Sequence, residues 1–357
     1  MRTHFSEYLR PKEGEMQTLW AEAVFIFDTN VLLNLYRMSR ETSSAIMHIL
    51  QKLEGRLYLP HQVTVEFFKH REEVIAEQVN AFEKMRTLLK GIPGQFRQQF
   101  SRHACIPIAE ITEALEKCVG EQVATVYTYQ NTYPSEPLFR NDAILLGLDT
   151  LFANCNEGPY TIEQDAALNK KVDERIQHNL PPCFVPPSGK SSAAPASNPH
   201  QGDGRVWFQI VNYAEANKKP IIFVTGDEKP NWWRTVKIGS KERVTGPHFH
   251  LVQDVEAVSN NRFMMYTQAA FLSDASTYLN VPEQNTQAMD EVRQVQEHAS
   301  MEEPMKGPIE SELLDKTEFA MKSKSMENDV EWLNEPKRSP LKESKSQEKA
   351  EDDGGDD

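Results

Sequence analysis

Apolar positions fall into two kinds of run along this chain. Short unbroken runs of β-branched and aromatic residues, Val24 to Phe27 and Ile221 to Val224, read as strands buried on both faces. Each stops near a carboxylate: Asp28 follows the first directly, and Asp227 follows the second after Thr225-Gly226. Leu57-Tyr58-Leu59 predicts a shorter strand stopped by Pro60, and Phe249 to Val252 and Arg262 to Tyr266 predict two more. The longer segments carry apolar residues every three or four positions and predict helices. They begin at Val31, Ser39, His61, Arg140, Ile162, Gly202 and Thr267. Ser39 has the chemistry of an N-cap and Gly55 that of a helix-ending glycine. Residues 1–22 form a lead-in that packs Phe5, Tyr8, Leu9 and Trp20.

Two apolar stripes run from Val74 to about Asn131, one through Val79, Phe82, Met85 and Leu88, the other through Ile111, Leu115, Val119 and Val123. They predict a helical hairpin inserted at about 72–131, with Ile92-Pro93-Gly94 as a break. Tyr133–Leu138 is a proline-bearing loop, and 188–200 (SGKSSAAPASNPH) is a flexible linker by composition. Strands alternating with helices predict an α/β domain whose sheet presents its carboxyl-end edge to ligands.

Composition changes at the end of the chain. From Glu283 onward there are 21 acidic and 10 basic residues, few aromatics, and too little apolar surface to fold alone. This predicts one domain over 1–282 and an acidic disordered tail over 283–357. Within the tail, Asp329–Leu333 around Trp332 is a candidate docking patch. The net charge of −14 therefore sits mostly in the tail, and the domain is nearly balanced, so acidity does not exclude a nucleic-acid partner.

Cys105, Cys118, Cys155 and Cys183 form no CxxC pair and read as free thiols in a reducing compartment, which predicts a cytoplasmic protein. No run of eighteen apolar residues is present, so no membrane span is expected, and the N-terminus lacks the apolar centre of a signal peptide.

Four acids stand at element boundaries: Asp28, Glu66, Asp203 and Asp227. Each alone is explained as a cap or as a partner of a helix dipole. Asp142 has the same choice between cap and accessory acid. Together the four suggest one site, because two of them end strands in the same way. Clustered carboxylates repel, and hard divalent cations such as Mg²⁺ or Mn²⁺ would hold them together. Such ions activate water and clamp a phosphodiester.

Five segments carry a resemblance: IFDTNVLLNLYR at 26–37, LYLPHQVTVEFFKHR at 57–71, GDGRVWFQIV at 202–211, IIFVTGDEKPNWW at 221–233 and RFMMYTQAAFL at 262–272. With them the chain resembles the PIN-like domain superfamily, and within it a bacterial-type family. The resemblance implies a three-layer α/β/α fold with a mostly parallel central sheet. It also implies a metal-dependent nuclease acting on RNA in preference to DNA, with a toxin-like or phage-defence setting. By the same resemblance Asp28, Glu66, Asp203 and Asp227 are the metal ligands, and Asn30 and Thr225 support them. Arg37, Lys69, Arg71, Arg205 and Lys229 lie near these acids in sequence and are candidate phosphate contacts. Solvated surface charge, or pairing with acids, is the simpler reading of each.

Other readings remain. A strand ending in Asp-Thr is shared with haloacid-dehalogenase-like phosphatases, but Asn30 stands where their second aspartate belongs. No GxGxxG follows the first strand. A catalytically silent nucleic-acid-binding or scaffold protein is the main alternative. The apolar face of the hairpin leaves a homo-oligomer open, and the acidic tail is a candidate autoinhibitory or docking segment.

Overall fold

The computed structural model describes residues 6–9, 11–103, 105–132, 142–184, 201–239, 241–281 and 286–301. Six strands are β1 (Val24–Phe27), β2 (Leu57–Tyr58), β3 (Ile221–Thr225), β4 (Trp233–Ile238), β5 (Lys241–Pro247) and β6 (Phe263–Thr267). Four of them form a parallel sheet in the order β2-β1-β3-β6, and β4 pairs with β5 in a separate antiparallel ribbon. Helices flank the parallel sheet, giving the three-layer α/β/α arrangement. Every residue of β1 and β3 is buried, as expected for strands covered on both faces.

The strand order places the site. From β1 the chain moves to β2 on one side, whereas β3 and β6 lie on the other. The crevice between the carboxyl ends of β1 and β3 is therefore a topological switch point, where open α/β sheets bind ligands. The register pairs Phe27 with Val224, and Asp28 N donates to Val224 O at 2.9 Å, so Asp28 stands beside Thr225.

The helices are α1 (Glu13–Glu22), α2 (Thr29–Leu33), α3 (Arg40–Lys52), α4 (His61–Phe100), α5 (Ile108–Thr132), α6 (Ala143–Phe152), α7 (Ile162–Gln177), α8 (Gln201–Asn217), α9 (Phe249–Ser259), α10 (Gln268–Tyr278) and α11 (Thr286–Met301). Trp20 of α1 stacks on Phe271 and Tyr278 and donates to the Tyr266 hydroxyl at 3.1 Å, closing one side of the core. Tyr8 of the lead-in is exposed, with its ring against Phe249.

Three expectations are corrected. Pro93 does not break the hairpin: α4 runs through it for 40 residues, and the turn falls between Phe100 and Ile108. A proline inside a helix forfeits one hydrogen bond and strains the preceding turn, at about 3 kcal/mol. Here Pro93 is buried and α5 packs along α4, so tertiary contact offsets that cost. Phe249 to Val252 is not a strand but the start of α9, whose buried residues Leu251, Val252, Val255 and Ser259 follow helical spacing. The β4–β5 ribbon precedes it, where the apolar pattern above predicts no strand. Its signal was the alternation of Val236-Lys237-Ile238 ahead of Gly239, which takes φ +65° at the turn.

The third correction concerns the tail, which opens with α11. Ala288 and Val292 are buried, and Met289 and Val295 pack against the core. Glu291 accepts from Ser39 N at 3.0 Å, at the start of α3. Four apolar positions at helical spacing suffice to dock a segment whose overall composition is polar. Residues 302–357, the Tyr133–Leu138 loop and the 188–200 linker lie outside the described residues.

Candidate active site

Asp28 is the N-cap of α2, and three neighbouring donors meet its carboxylate. Oδ1 accepts from Thr29 N at 2.8 Å, and Oδ2 accepts from Asn30 Nδ2 at 2.9 Å and Thr225 Oγ1 at 2.7 Å. Asn30 turns back across the crevice, where its Oδ1 accepts from Gly226 N at 2.7 Å. A Cβ at Gly226 would approach Asn30 Oδ1 to 3.0 Å, so a residue without a side chain is what lets this strand end lie so close. Thr225 Oγ1 in turn accepts from Asp227 N at 3.0 Å. The cap reading and the site reading of Asp28 are thus both satisfied by one geometry.

Glu66 lies in the second turn of α4. Its Oε2 accepts from Thr29 Oγ1 at 3.1 Å and its Oε1 from Gln62 Nε2 at 2.7 Å. Gln62 is oriented by Arg205, whose Nε donates to Gln62 Oε1 at 2.8 Å. Because a guanidinium only donates, it fixes the amide oxygen toward itself and the amide NH₂ toward Glu66.

Asp203 sits in the first turn of α8 and accepts from Asn231 Nδ2 at 2.9 Å; the same nitrogen donates to Pro182 O at 3.1 Å. Asp227 follows β3. Its carboxylate accepts from Lys229 N at 2.8 Å and lies 3.5 Å from Lys229 Nζ, and its carbonyl accepts from Trp233 Nε1 at 2.6 Å. Gln62, Thr29 and Asn231 escaped the sequence reading because side-chain amides and hydroxyls within helices and loops carry no distinctive pattern.

The four acids share one electrostatic neighbourhood. Burial pushes Asp28 up to about 6; the Thr225 hydroxyl and Thr29 amide oppose this, and the charges of Glu66 and Asp227 add to it. Burial also holds Asp203 well above the carboxylate range, with the charges of Asp28, Asp227 and Glu66 pushing the same way and Lys229 opposing.

The candidate phosphate contacts divide. Arg71 is buried against Asp142, its Nε donating at 2.8 Å, while the Tyr36 hydroxyl donates to the same carboxylate at 2.7 Å. It is therefore a structural cation rather than a surface one. Asp142 also caps α6 through Leu145 N at 2.8 Å, so it is a cap and an ion-pair partner, not an accessory acid. Arg205 is likewise engaged, by Gln62, Asn169 and Asp165. Arg37 is half-buried and 3.5 Å from Glu77, whereas Lys69 and Lys229 are exposed.

Among the described residues, no three or more His, Cys, Asp or Glu side chains are grouped so as to hold a metal ion as they stand. The donor chemistry nevertheless fits a hard divalent cation. The site offers carboxylate oxygens alone, and two of its acids are held from ionising partly by the charge of the others.

A model of the PIN-like domain family matches residues 24–248, and the chain belongs to that family, whose fold is of the nuclease type. No curated protein and no solved structure matches the chain. None of the helices among the described residues is long and apolar enough to cross a membrane.

Proposed function

We propose that this protein is a divalent-metal-dependent nuclease that hydrolyses the phosphodiester backbone of RNA in preference to DNA. What supports the reading is the electrostatic coupling among Asp28, Glu66, Asp203 and Asp227, acids supplied by four segments around the switch-point crevice. Burial first, and the charges of neighbouring acids after it, push Asp28 and Asp203 toward the neutral form. Carboxylates so arranged destabilise the protein unless a cation offsets them.

The four acids would hold Mg²⁺ or Mn²⁺, which when bound supplies a more acidic water and a Lewis acid for the phosphate oxygens. Thr29 and Gln62 set the angle of the Glu66 carboxylate, and Asn30 and Thr225 set that of Asp28. Lys229, exposed and 3.5 Å from Asp227, and Lys69, exposed on α4 three residues after Glu66, are our candidates to meet a phosphate.

The test is cleavage of labelled single-stranded RNA and DNA with Mg²⁺ or Mn²⁺, comparing the wild type with Asp28→Asn and Asp227→Asn. Circular dichroism verifies the fold of each. The expected result is metal-dependent cutting, faster on RNA, that falls by at least about 100-fold in both variants, as removal of a main electrostatic element does. A wild type that cuts neither substrate, or variants that cut as well as it does, overturns the reading in favour of a silent binding or scaffold protein.

A further inference from the structure

We propose that the β4–β5 ribbon is a docking arm for a nucleic-acid strand, carrying the sugar–phosphate backbone toward the acidic crevice. The ribbon is rooted in the site. Trp233, its first residue, donates to the Asp227 carbonyl at 2.6 Å, and Trp232 and Trp233 are buried. His248 N closes the base by donating to Trp232 O at 3.2 Å. Arg234 lies over the Phe249 ring at 3.8 Å and donates from Nε to Pro247 O at 2.9 Å. These contacts fix the root of the arm and its direction of departure from Asp227.

Beyond the root the ribbon leaves the core. Val236 and Ile238 are 45% and 60% exposed, and Lys237 and Arg243 are exposed as well. The register pairs Val236 with Arg243 and Ile238 with the backbone of Lys241, so Val236, Ile238 and the exposed Arg243 share one face. A two-stranded ribbon is marginal without packing, and Val236 and Ile238 leave apolar surface in water near its tip. They call for a partner, and the charge selects which. Trp233–Pro247 holds four cations (Arg234, Lys237, Lys241 and Arg243) against one acid, Glu242, in a domain that is otherwise slightly acidic.

An apolar protein surface would have no use for this excess of cations. A nucleic-acid strand uses both elements: cations neutralise phosphates, and apolar side chains lie against sugars and base faces. Continuity with Asp227 gives the strand a path into the crevice. The choice of nucleic acid rests on the nuclease reading, but binding and cutting are separable and are measured separately.

The experiment is fluorescence anisotropy of a labelled single-stranded RNA with the full chain, in EDTA, over a salt titration. The ribbon variant is Lys241→Ala with Arg243→Ala, alongside Ile238→Ala. The control is Lys52→Ala with Lys219→Ala, which removes the same charge from exposed positions at the opposite, amino-end edge of the sheet. Losing two phosphate contacts on a single strand should flatten the slope of log affinity against log salt by about 1.4 and weaken binding on the order of tenfold near 100 mM salt. Ile238→Ala should weaken binding without changing that slope, and the control should match the wild type.

The proposal falls if the ribbon variant binds like the wild type, if the control loses as much, or if the wild type binds no nucleic acid. Ribbon-dependent binding by a wild type that cuts nothing upholds the arm and sinks the nuclease reading. Metal-dependent cutting with binding indifferent to the ribbon does the reverse.

Discussion

Thr225 Oγ1 donates to Asp28 Oδ2 at 2.7 Å, joining the ends of two adjacent strands across 197 residues of chain. The same oxygen accepts from Asp227 N, so one hydroxyl organises two of the four acids. Thr225→Val keeps the shape and removes both bonds, leaving a buried carboxylate and an amide short of partners. The expected cost is about 1–3 kcal/mol by urea denaturation, with metal binding displaced to higher pH because the Thr225 bond is what lowers Asp28. Thr225→Ser should restore both properties, and a serine variant as impaired as valine would rule this role out.

The acids make stability depend on pH in an unusual direction. Asp28 titrates near 3.8 unfolded and at about 6 folded, so between those values the folded state binds more protons. Stability from this group is fully present below pH 3.8 and is lost as pH rises through about 6, a difference on the order of 3 kcal/mol. Asp203 acts with the same sign. Melting temperatures between pH 4 and 7 in EDTA should therefore show a downward contribution with rising pH that Asp28→Asn removes. Mg²⁺ or Mn²⁺ should offset it at neutral pH. Wild-type and Asp28→Asn curves that run parallel would refute this account.

Two glycines two residues apart should respond differently to alanine. A Cβ at Gly202 would meet Glu66 Oε1 at 2.6 Å, the far end of a flexible side chain. A Cβ at Gly204 would meet Cys183 Sγ and Val172 Cγ1, both at 2.7 Å and both buried. Gly204→Ala should thus cost about 1–3 kcal/mol as an overpacked core position. Gly202→Ala should stay folded while displacing Glu66, with Mn²⁺ affinity down about 10-fold or more, as when a ligand loses its orientation. Calorimetric Mn²⁺ titration and thermal melts of both variants would expose the idea as wrong if the two behave alike.

The Arg71–Asp142 pair has side chains only 9% and 5% exposed. Arg71→Met alone leaves Asp142 charged and enclosed, and should cost about 3–5 kcal/mol. Adding Asp142→Asn keeps a cap for α6 while removing the stranded charge, so the double variant should recover part of that loss. A double-mutant cycle by urea denaturation measures the coupling, and purely additive losses would argue against a buried pair.

What could be read from the chain follows from how local each signal was. The two central strands and the acids at their ends were legible because unbroken Val, Ile and Phe runs stopping at Asp28 and Asp227 are local features. The parallel sheet followed from the alternation of strand and helix. Pro93 misled because its cost is local and its compensation, packing between α4 and α5, is not. Phe249-His250-Leu251-Val252 is equally consistent with strand and helix over four residues, and only Val255 and Ser259 further on decide. Arg71 looked like a surface cation because nothing nearby reveals Asp142, 71 residues away. The α11 helix was hidden by averaging, since a docked stripe is diluted in a polar segment.

The crevice is assembled from β1, α4, α8 and β3, and the last of its acids enters the chain at residue 227. A fragment ending within the hairpin carries Asp28 and Glu66 but neither Thr225 nor Asp227 to set them. While the chain is still being synthesised, the half-built crevice therefore has no competent form. Any break of the chain between Glu66 and Asp203 would separate Asp203 and Asp227 from the other two acids. Any reconstitution from such halves would depend on β3 finding its place beside β1 without a covalent tether.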